Sequence, residues 1–296
     1  MLEKLESFKN RKILLVGDTI IDKHVYLEAI GLSLESPTIK TQFREESIIF
    51  GGAANVAKHL SFFSDHVDFV TSINSEILRS TFEERYKLKL TNLRQKKDNI
   101  KSRFWIDRGD SKYKYLQIND INKDPSKEKE FTLNSSYDVI AVSDYRCHLI
   151  DEAIISTIRD STFDTYIASQ VSSKKNNFDS YRGFNNFVMN KSEAHSYYTP
   201  WSSSVLDRLG TSRIFVTNGD KGSRVYYKEG CSEHDAFKTE MISTMGAGDA
   251  YYAALIASSG DADFANLWAS YYVSCDIEHR VRVEDFIECQ KQNVFV

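Results

Sequence analysis

The sequence predicts an α/β fold: a doubly wound, mostly parallel sheet flanked by helices, with a small β flap beside it. Short apolar runs such as Ile13-Leu14-Leu15-Val16 and Val139-Ile140-Ala141-Val142 end in polar residues, as buried parallel strands do. These runs alternate with helical segments through most of the chain, the pattern of βαβ units. Around 24–50 and 101–120 the residues alternate without helical period, which predicts strands with one solvated face and hence the flap.

The first strand ends in Gly17-Asp18, with Asp22 close behind. Ligands collect at such strand ends in open α/β sheets, and capping a turn is the other reading of either aspartate. Gly31 and Pro37 interrupt the flap segment that follows. Phe50-Gly51-Gly52-Ala53-Ala54-Asn55 reads as a Gly-Gly turn opening an Ala-rich helix. The glycines let a ligand approach the backbone, and Asn55 can donate to and accept from a hydroxyl. Tight helix–sheet packing with Asn55 solvated is the alternative.

Val67 to Ile73 is a strand and Ser75 to Leu88 a helix. Ser102 to Ile106 and Tyr113 to Ile118 form a hairpin turning at Arg108-Gly109-Asp110-Ser111. Asp138 to Tyr145 is a buried strand, His148 to Arg159 a helix, and Thr165 to Ala168 and Asn186 to Asn190 are strands. Arg213 to Thr217 pairs with Ser223 to Tyr227 through Asn218 to Gly222. Helices from Gly246 to Ser258, Asp263 to Cys275 and Glu284 to Gln290 complete the chain.

With 296 residues, 41% of them hydrophobic and 27% charged, the chain suits a single large domain over 1–296. A net charge of -4, with no Lys/Arg-rich block, argues against nucleic acid as a partner. The 4 cysteines form no C-x-x-C pair and the 7 histidines no H-x-x-x-H spacing, which argues against a structural zinc site. The charged N-terminal stretch and the lack of a membrane-length apolar run predict no signal peptide and no membrane partner, and a cytoplasmic location.

The stretch richest in chemistry is Gly246-Ala247-Gly248-Asp249, running into small and apolar residues at helical spacing. A helix opening there aims its free N–H groups and positive dipole end at an anion, most often a phosphate. Asp249 in the first turn is then a base beside that anion. The plainer reading is a Gly-rich turn with an acid complementing the dipole. No G-x-x-x-x-G-K-[ST] string exists, and the glycines of Thr217 to Gly222 lead into a β run rather than a helix. The P-loop reading therefore fails, and the dinucleotide-binding reading, an α/β dehydrogenase, is weak.

In order, the chain carries G-D-x-x-x-D, G-G-A-A-N-V-A, S-D-Y, N-x-x-E, T-x-G-x-x-G and G-A-G-D. This order resembles the ribokinase-like (PfkB-type) carbohydrate kinases over nearly the whole chain. Within them it is most similar to the kinases of D-glycero-D-manno-heptose 7-phosphate, which carry a string like Leu32 to Pro37 before the Gly-Gly turn. No nucleotidyltransferase segment follows, so the resemblance is to the free-standing form. It implies a ribokinase-like fold and ATP-dependent phosphorylation of a sugar hydroxyl, with Asp249 as base and Gly246, Ala247 and Gly248 as anion hole. It implies that Asp18, Asp22, Gly51, Gly52 and Asn55 face the sugar. It further implies that Asn190 and Glu193 organise Mg²⁺ through water, that Thr217, Gly219 and Gly222 line ATP, and that the flap closes as a lid and builds a homodimer. A phosphorylated sugar also needs a cation, for which Arg103, Arg108, Lys174 and Lys175 are the candidates.

The chain departs from the family in places. Ser243 stands where the family has an acid, which leaves K⁺ activation open. Ala168-Ser169-Gln170 stands for D-P-K, Ser143 to His148 for S-D-Y-A-K-G, and Glu278 to Arg282 for a Gly-Thr turn. These changes motivate a second reading, a catalytically weak relative that binds nucleotide or sugar phosphate as a sensor or partner.

Overall fold

The computed structural model describes residues 2–107, 112–133, 135–170, 176–197, 203–275 and 281–291. In chain order the elements are α1 (Leu2–Phe8), β1 (Lys12–Gly17), β2 (Thr19–Leu32), β3 (Ile39–Gly52), α2 (Ala53–Phe63), β4 (His66–Thr71), α3 (Glu76–Tyr86) and β5 (Leu90–Asn92). Then come β6 (Ile100–Asp107), β7 (Lys112–Asp120), β8 (Val139–Asp144), α4 (Glu152–Arg159), β9 (Asp164–Ser169), β10 (Asn186–Asn190), α5 (Lys191–Tyr197) and α6 (Ser203–Leu209). The last are β11 (Arg213–Thr217), β12 (Ser223–Tyr227), β13 (Gly230–His234), α7 (Ala247–Ala257), α8 (Ala262–Ser274) and α9 (Val283–Lys291).

The main sheet runs β13-β12-β11-β10-β9-β8-β1-β4-β5. It is parallel from β5 to β11, and β12 and β13 add an antiparallel edge. β1 and β8 are buried along almost their whole length because helices cover both faces of the sheet. One apolar cluster packs α2, α7, α8 and α9 on one face, and a second packs α4 and α6 on the other. The doubly wound expectation holds, and the polar ends of β1 and β8 lie side by side, with Gly17 in register with Ser143.

The flap is a four-stranded sheet, β3-β2-β6-β7. The β2–β3 and β6–β7 hairpins are antiparallel, and a parallel β2–β6 pairing joins them. β2 starts at Thr19 with only Asp18 between it and β1, so the flap continues directly from that strand.

α1, β5, α5, α6 and β13 were not foreseen. β5 has three residues and β13 is Gly-Cys-Ser-Glu-His, too short or too polar to show a period. No helix among the described residues is long and apolar enough to cross a membrane.

Candidate active site

The ends of β1 and β8 and the N-termini of α2 and α7 meet at one place. Glycine makes two of these approaches possible. A Cβ at Gly17 would lie 2.5 Å from Ala53 Cβ and 2.6 Å from the Ser143 carbonyl oxygen. Gly246 caps α7 at φ 81°, in the left-handed region, and a Cβ there would lie 2.7 Å from Asn55 Nδ2 and 2.8 Å from the Tyr272 hydroxyl. Ala53, Ala54 and Ala57 of α2 and Ala250, Ala253 and Ala254 of α7 are fully buried. Small residues on both helices allow their axes to come close, which brings Asn55 to Asp249.

Asp249 sits in the first turn of α7. Its Oδ2 accepts from Asn55 Nδ2 at 2.8 Å, and its Oδ1 accepts from the Tyr145 hydroxyl. Burial, helped by Asp22, pushes its pKa up to about 6 against the two donors and Lys101. A carboxylate with that pKa is ionised at neutral pH yet basic enough to take a proton. The Tyr145 hydroxyl is held protonated: burial, then the charges of Asp249, Glu193 and Asp22, push its pKa well above the ordinary tyrosine value.

Asp18 has a different place from the one its motif suggests. It is 1% exposed, and its carboxylate accepts from the backbone amides of Tyr145 (2.9 Å), Cys147 (3.1 Å) and Leu149 (3.2 Å). Alternate amides converge on one carboxylate because Arg146 and His148 between them adopt φ 61° and 65°. Burial and the nearby Asp144 push the Asp18 pKa up to about 7 against those three bonds. Asp144 in turn accepts from Asn177 (2.7 Å), Tyr181 (2.7 Å) and Ser169 (2.9 Å). Ser169, in the segment that departs from D-P-K, thus props the same turn.

Asp22 is near the cleft and forms an ion pair with Arg103, both side chains being about 15% exposed (15% and 14%). Arg103 is therefore neutralised from within. Gly51 packs tightly against this pair: a Cβ there would lie 2.7 Å from Asp22 Oδ2. Gly52 caps α2 at φ 63°. Arg108, Lys174 and Lys175 lie outside the described residues. Lys101 is a cation that the sequence reading missed; it is in register with Asp22, and its charge reaches Asp249 and Cys147. It lies two residues before Arg103 on the same strand face, a spacing that was legible. Tyr145, within S-D-Y, shows no signal of its role in residue type alone.

At the start of α7, Ala247 N donates to Thr244 O and Ala250 N to Gly246 O, and among the described residues no backbone carbonyl takes the amides of Gly248 and Asp249. A Cβ at Gly248 would meet nothing within 4 Å, so the helix end is open. Ser243 Oγ accepts from Met245 N at 3.3 Å, so a neutral oxygen braces the turn. Asn190 and Glu193 bond reciprocally, Asn190 N to Glu193 Oε2 (2.8 Å) and Glu193 N to Asn190 Oδ1 (2.9 Å), which caps α5. Asn190 is exposed and Glu193 half-buried, and the charge of Glu193 reaches Tyr145. Thr217, Gly219 and Gly222 frame the β11–β12 turn. Gly222 is fixed by β13, since a Cβ there would lie 2.0 Å from His234 O, whereas Gly219 faces open space. Beside the turn lies a cleft of about 710 Å³ lined by Lys191, His195, Asn218, Lys221 and Tyr226.

Residues 10–261 match the pfkB family of carbohydrate kinases. Among curated relatives, the Bifunctional protein HldE of Nitratiruptor sp. is 26% identical over 88% of this chain and 61% of its own length. The D-beta-D-heptose 7-phosphate kinase of Bordetella bronchiseptica is 22% identical over 84% of each chain. The chain thus spans about three-fifths of the bifunctional relative. Among solved structures, a putative ribokinase from Agrobacterium tumefaciens superposes with a TM-score of 0.70 at 15% identity, covering 96% of this chain and 99% of that one. The Methanocaldococcus jannaschii nucleoside kinase, an archaeal member of the ribokinase family, gives 0.68 at 17% identity, covering 96% and 99%. The fold is that of ribokinase, and the chain belongs to the pfkB family of carbohydrate kinases.

Proposed function

We propose that this chain transfers the γ-phosphoryl group of ATP to a hydroxyl of a phosphorylated sugar of the heptose 7-phosphate class. The observation that carries the reading is Asp249: a carboxylate with a pKa raised to about 6, held by two donors at the open end of a helix. Phosphoryl transfer asks a protein mainly for alignment and charge neutralisation. In this reading Asp249 takes the proton as the sugar oxygen bonds to the γ-phosphorus and the bond to the β-phosphate oxygen breaks, releasing ADP. The amides of Gly248 and Asp249, with Gly246 and Ala247 shaping the turn, receive the charge that develops.

Asp22, Gly51, Gly52 and Asn55 hold the sugar, and Asp18 supports the turn that carries Tyr145. Lys101, rather than the Asp22-bound Arg103, supplies the cation for the substrate phosphate. Thr217, Gly219 and Gly222 line the nucleotide. The half-buried carboxylate Glu193 and the exposed Asn190 suit a hydrated Mg²⁺, which keeps most of its waters and uses few protein ligands. That ion supplies charge neutralisation at the phosphates. A cytoplasmic setting provides the ATP.

The flap would close over the sugar and exclude water as a competing acceptor. It also exposes Leu32 (71%), Phe43 (57%) and Tyr115 (55%), which supports a homodimer through the flap, checked by the light-scattering mass of wild type and Phe43→Glu. Incubation with ATP, Mg²⁺ and a panel of sugars and sugar phosphates, read by mass spectrometry, tests the reading. ADP with a bisphosphate product from heptose 7-phosphate is expected. Nucleotide and sugar-phosphate binding without ADP from any member of the panel would favour the sensor reading instead.

A further inference from the structure

We propose that Tyr145 is a positioning residue for the base: its hydroxyl fixes the orientation of the Asp249 carboxylate and keeps it ready to accept a proton. This inference rests on the kinase reading for its place in the reaction, but the contact itself does not.

The geometry is a relay from the core to the site. Asp18 gathers three backbone amides of the turn after β8, and the first of them belongs to Tyr145. The turn is held in a conformation that Arg146 and His148 would not adopt alone, with both in the left-handed region. Such a turn persists only where the surroundings fix it, and the buried Asp18 carboxylate does so. The side chain that the turn delivers is Tyr145, whose hydroxyl donates to Asp249 Oδ1 while Asn55 donates to Oδ2 from the other side. Each carboxylate oxygen then has one donor from the protein and one lone pair left for the sugar hydroxyl.

The direction of donation does not switch. Burial and neighbouring negative charge keep the Tyr145 hydroxyl protonated, so it stabilises ionised Asp249 and never competes for the substrate proton. The groups acting around the carboxylate are Asp22 from β2, Lys101 from β6, Asn55 from α2 and Tyr145 itself. Tyr272 of α8 feels the Asp249 charge, and Glu193 of α5 acts on Tyr145. Burial, then Asp22, opposes ionisation, while the two neutral donors and Lys101 favour it and so limit the rise.

Tyr145→Phe removes the hydroxyl and nothing else. A purely structural tyrosine would lower activity equally at every pH or alter KM. A positioning tyrosine moves the acid limb of the pH–rate profile. The expected result is a limb displaced upward by about one pH unit, with roughly fivefold less activity near pH 6, approaching tenfold at lower pH, and recovery above pH 8. The carboxyl ¹³C shift of Asp249, assigned with Asp249→Asn, follows the same titration without turnover and is expected to move upward equally. An Asp249 titration unchanged by Tyr145→Phe overturns the inference. A displaced titration in a protein that phosphorylates no sugar supports the Tyr145 contact and counts against the kinase reading alone.

Discussion

Asn55 and Asp249 are 194 residues apart in sequence, and Asn55 Nδ2 stands 2.8 Å from Asp249 Oδ2. The contact joins the first turns of two helices whose alanine faces pack together, so the Ala-rich composition of α2 and α7 has a chemical consequence. A bulkier face would part the helices and separate the amide from the base.

Asn55→Ala removes a donor to a charged acceptor, an interaction of about 1.5–3 kcal/mol. A fall in kcat/KM of roughly 10- to 100-fold is expected, with the fold kept, measured by steady-state ADP release and circular dichroism. Activity within about twofold of wild type would show that Asn55 does not hold the base.

Gly246→Ala tests the same joint from the other side. Its backbone is left-handed, which costs a non-glycine residue about 1–2 kcal/mol. The added methyl also meets Asn55 Nδ2 and the Tyr272 hydroxyl at under 3 Å. A lower Tm together with a loss of activity at least as large as that of Asn55→Ala is expected. Gly248→Ala, where a Cβ meets nothing, should keep its Tm and lose activity only through crowding of the incoming phosphate.

Two buried carboxyls make stability fall as pH rises from about 4 to about 7. Asp18 and Asp249 have folded pKa values raised to about 7 and about 6 from 3.8. Over that window the folded protein holds protons that the unfolded chain has released, so raising the pH favours unfolding. His59, kept neutral because burial holds its pKa well below the usual imidazole value, acts in the opposite sense up to about pH 6.5, whereas Asp151, Asp179 and Asp261, whose pKa values are lowered, do so only as pH drops below about 4. Scanning calorimetry at pH 5 and pH 7.5 reads the effect, and Asp18→Asn should shrink the difference between them. A difference of the same size in the variant removes Asp18 as its source.

His148 is exposed and holds φ 65° at the position where S-D-Y-A-K-G has glycine. His148→Gly relieves the left-handed strain, partly offset by the greater freedom of glycine in the unfolded chain. A gain of up to about 1 kcal/mol, seen as a raised urea midpoint at unchanged slope, is expected; a lowered midpoint would show that the histidine side chain stabilises the turn.

The apolar runs before Asp18, Asp144 and Thr217 made the parallel sheet legible, because strands buried on both faces need continuous hydrophobic residues. The flap was legible as alternation, but its parallel β2–β6 pairing was not, since no local pattern encodes which strands become neighbours. G-A-G-D announced the helix end that carries Asp249. The roles of Asp18 and Arg103 were not legible from residue type: an aspartate at a strand end reads the same whether it faces a ligand or gathers three amides. An arginine on a flap strand reads as a free cation until its partner Asp22 is seen beside it. Tyr145 was hidden for the converse reason, as its hydroxyl matters only once the fold sets it against Asp249.

The most direct test of the account is kcat with ATP, Mg²⁺ and heptose 7-phosphate for wild type and Asp249→Asn, with the fold of each checked by Tm. The account predicts bisphosphate formation by wild type and a kcat lower by roughly 10²- to 10⁴-fold in the variant, the range lost with a general base. Equal kcat in the two proteins would contradict it.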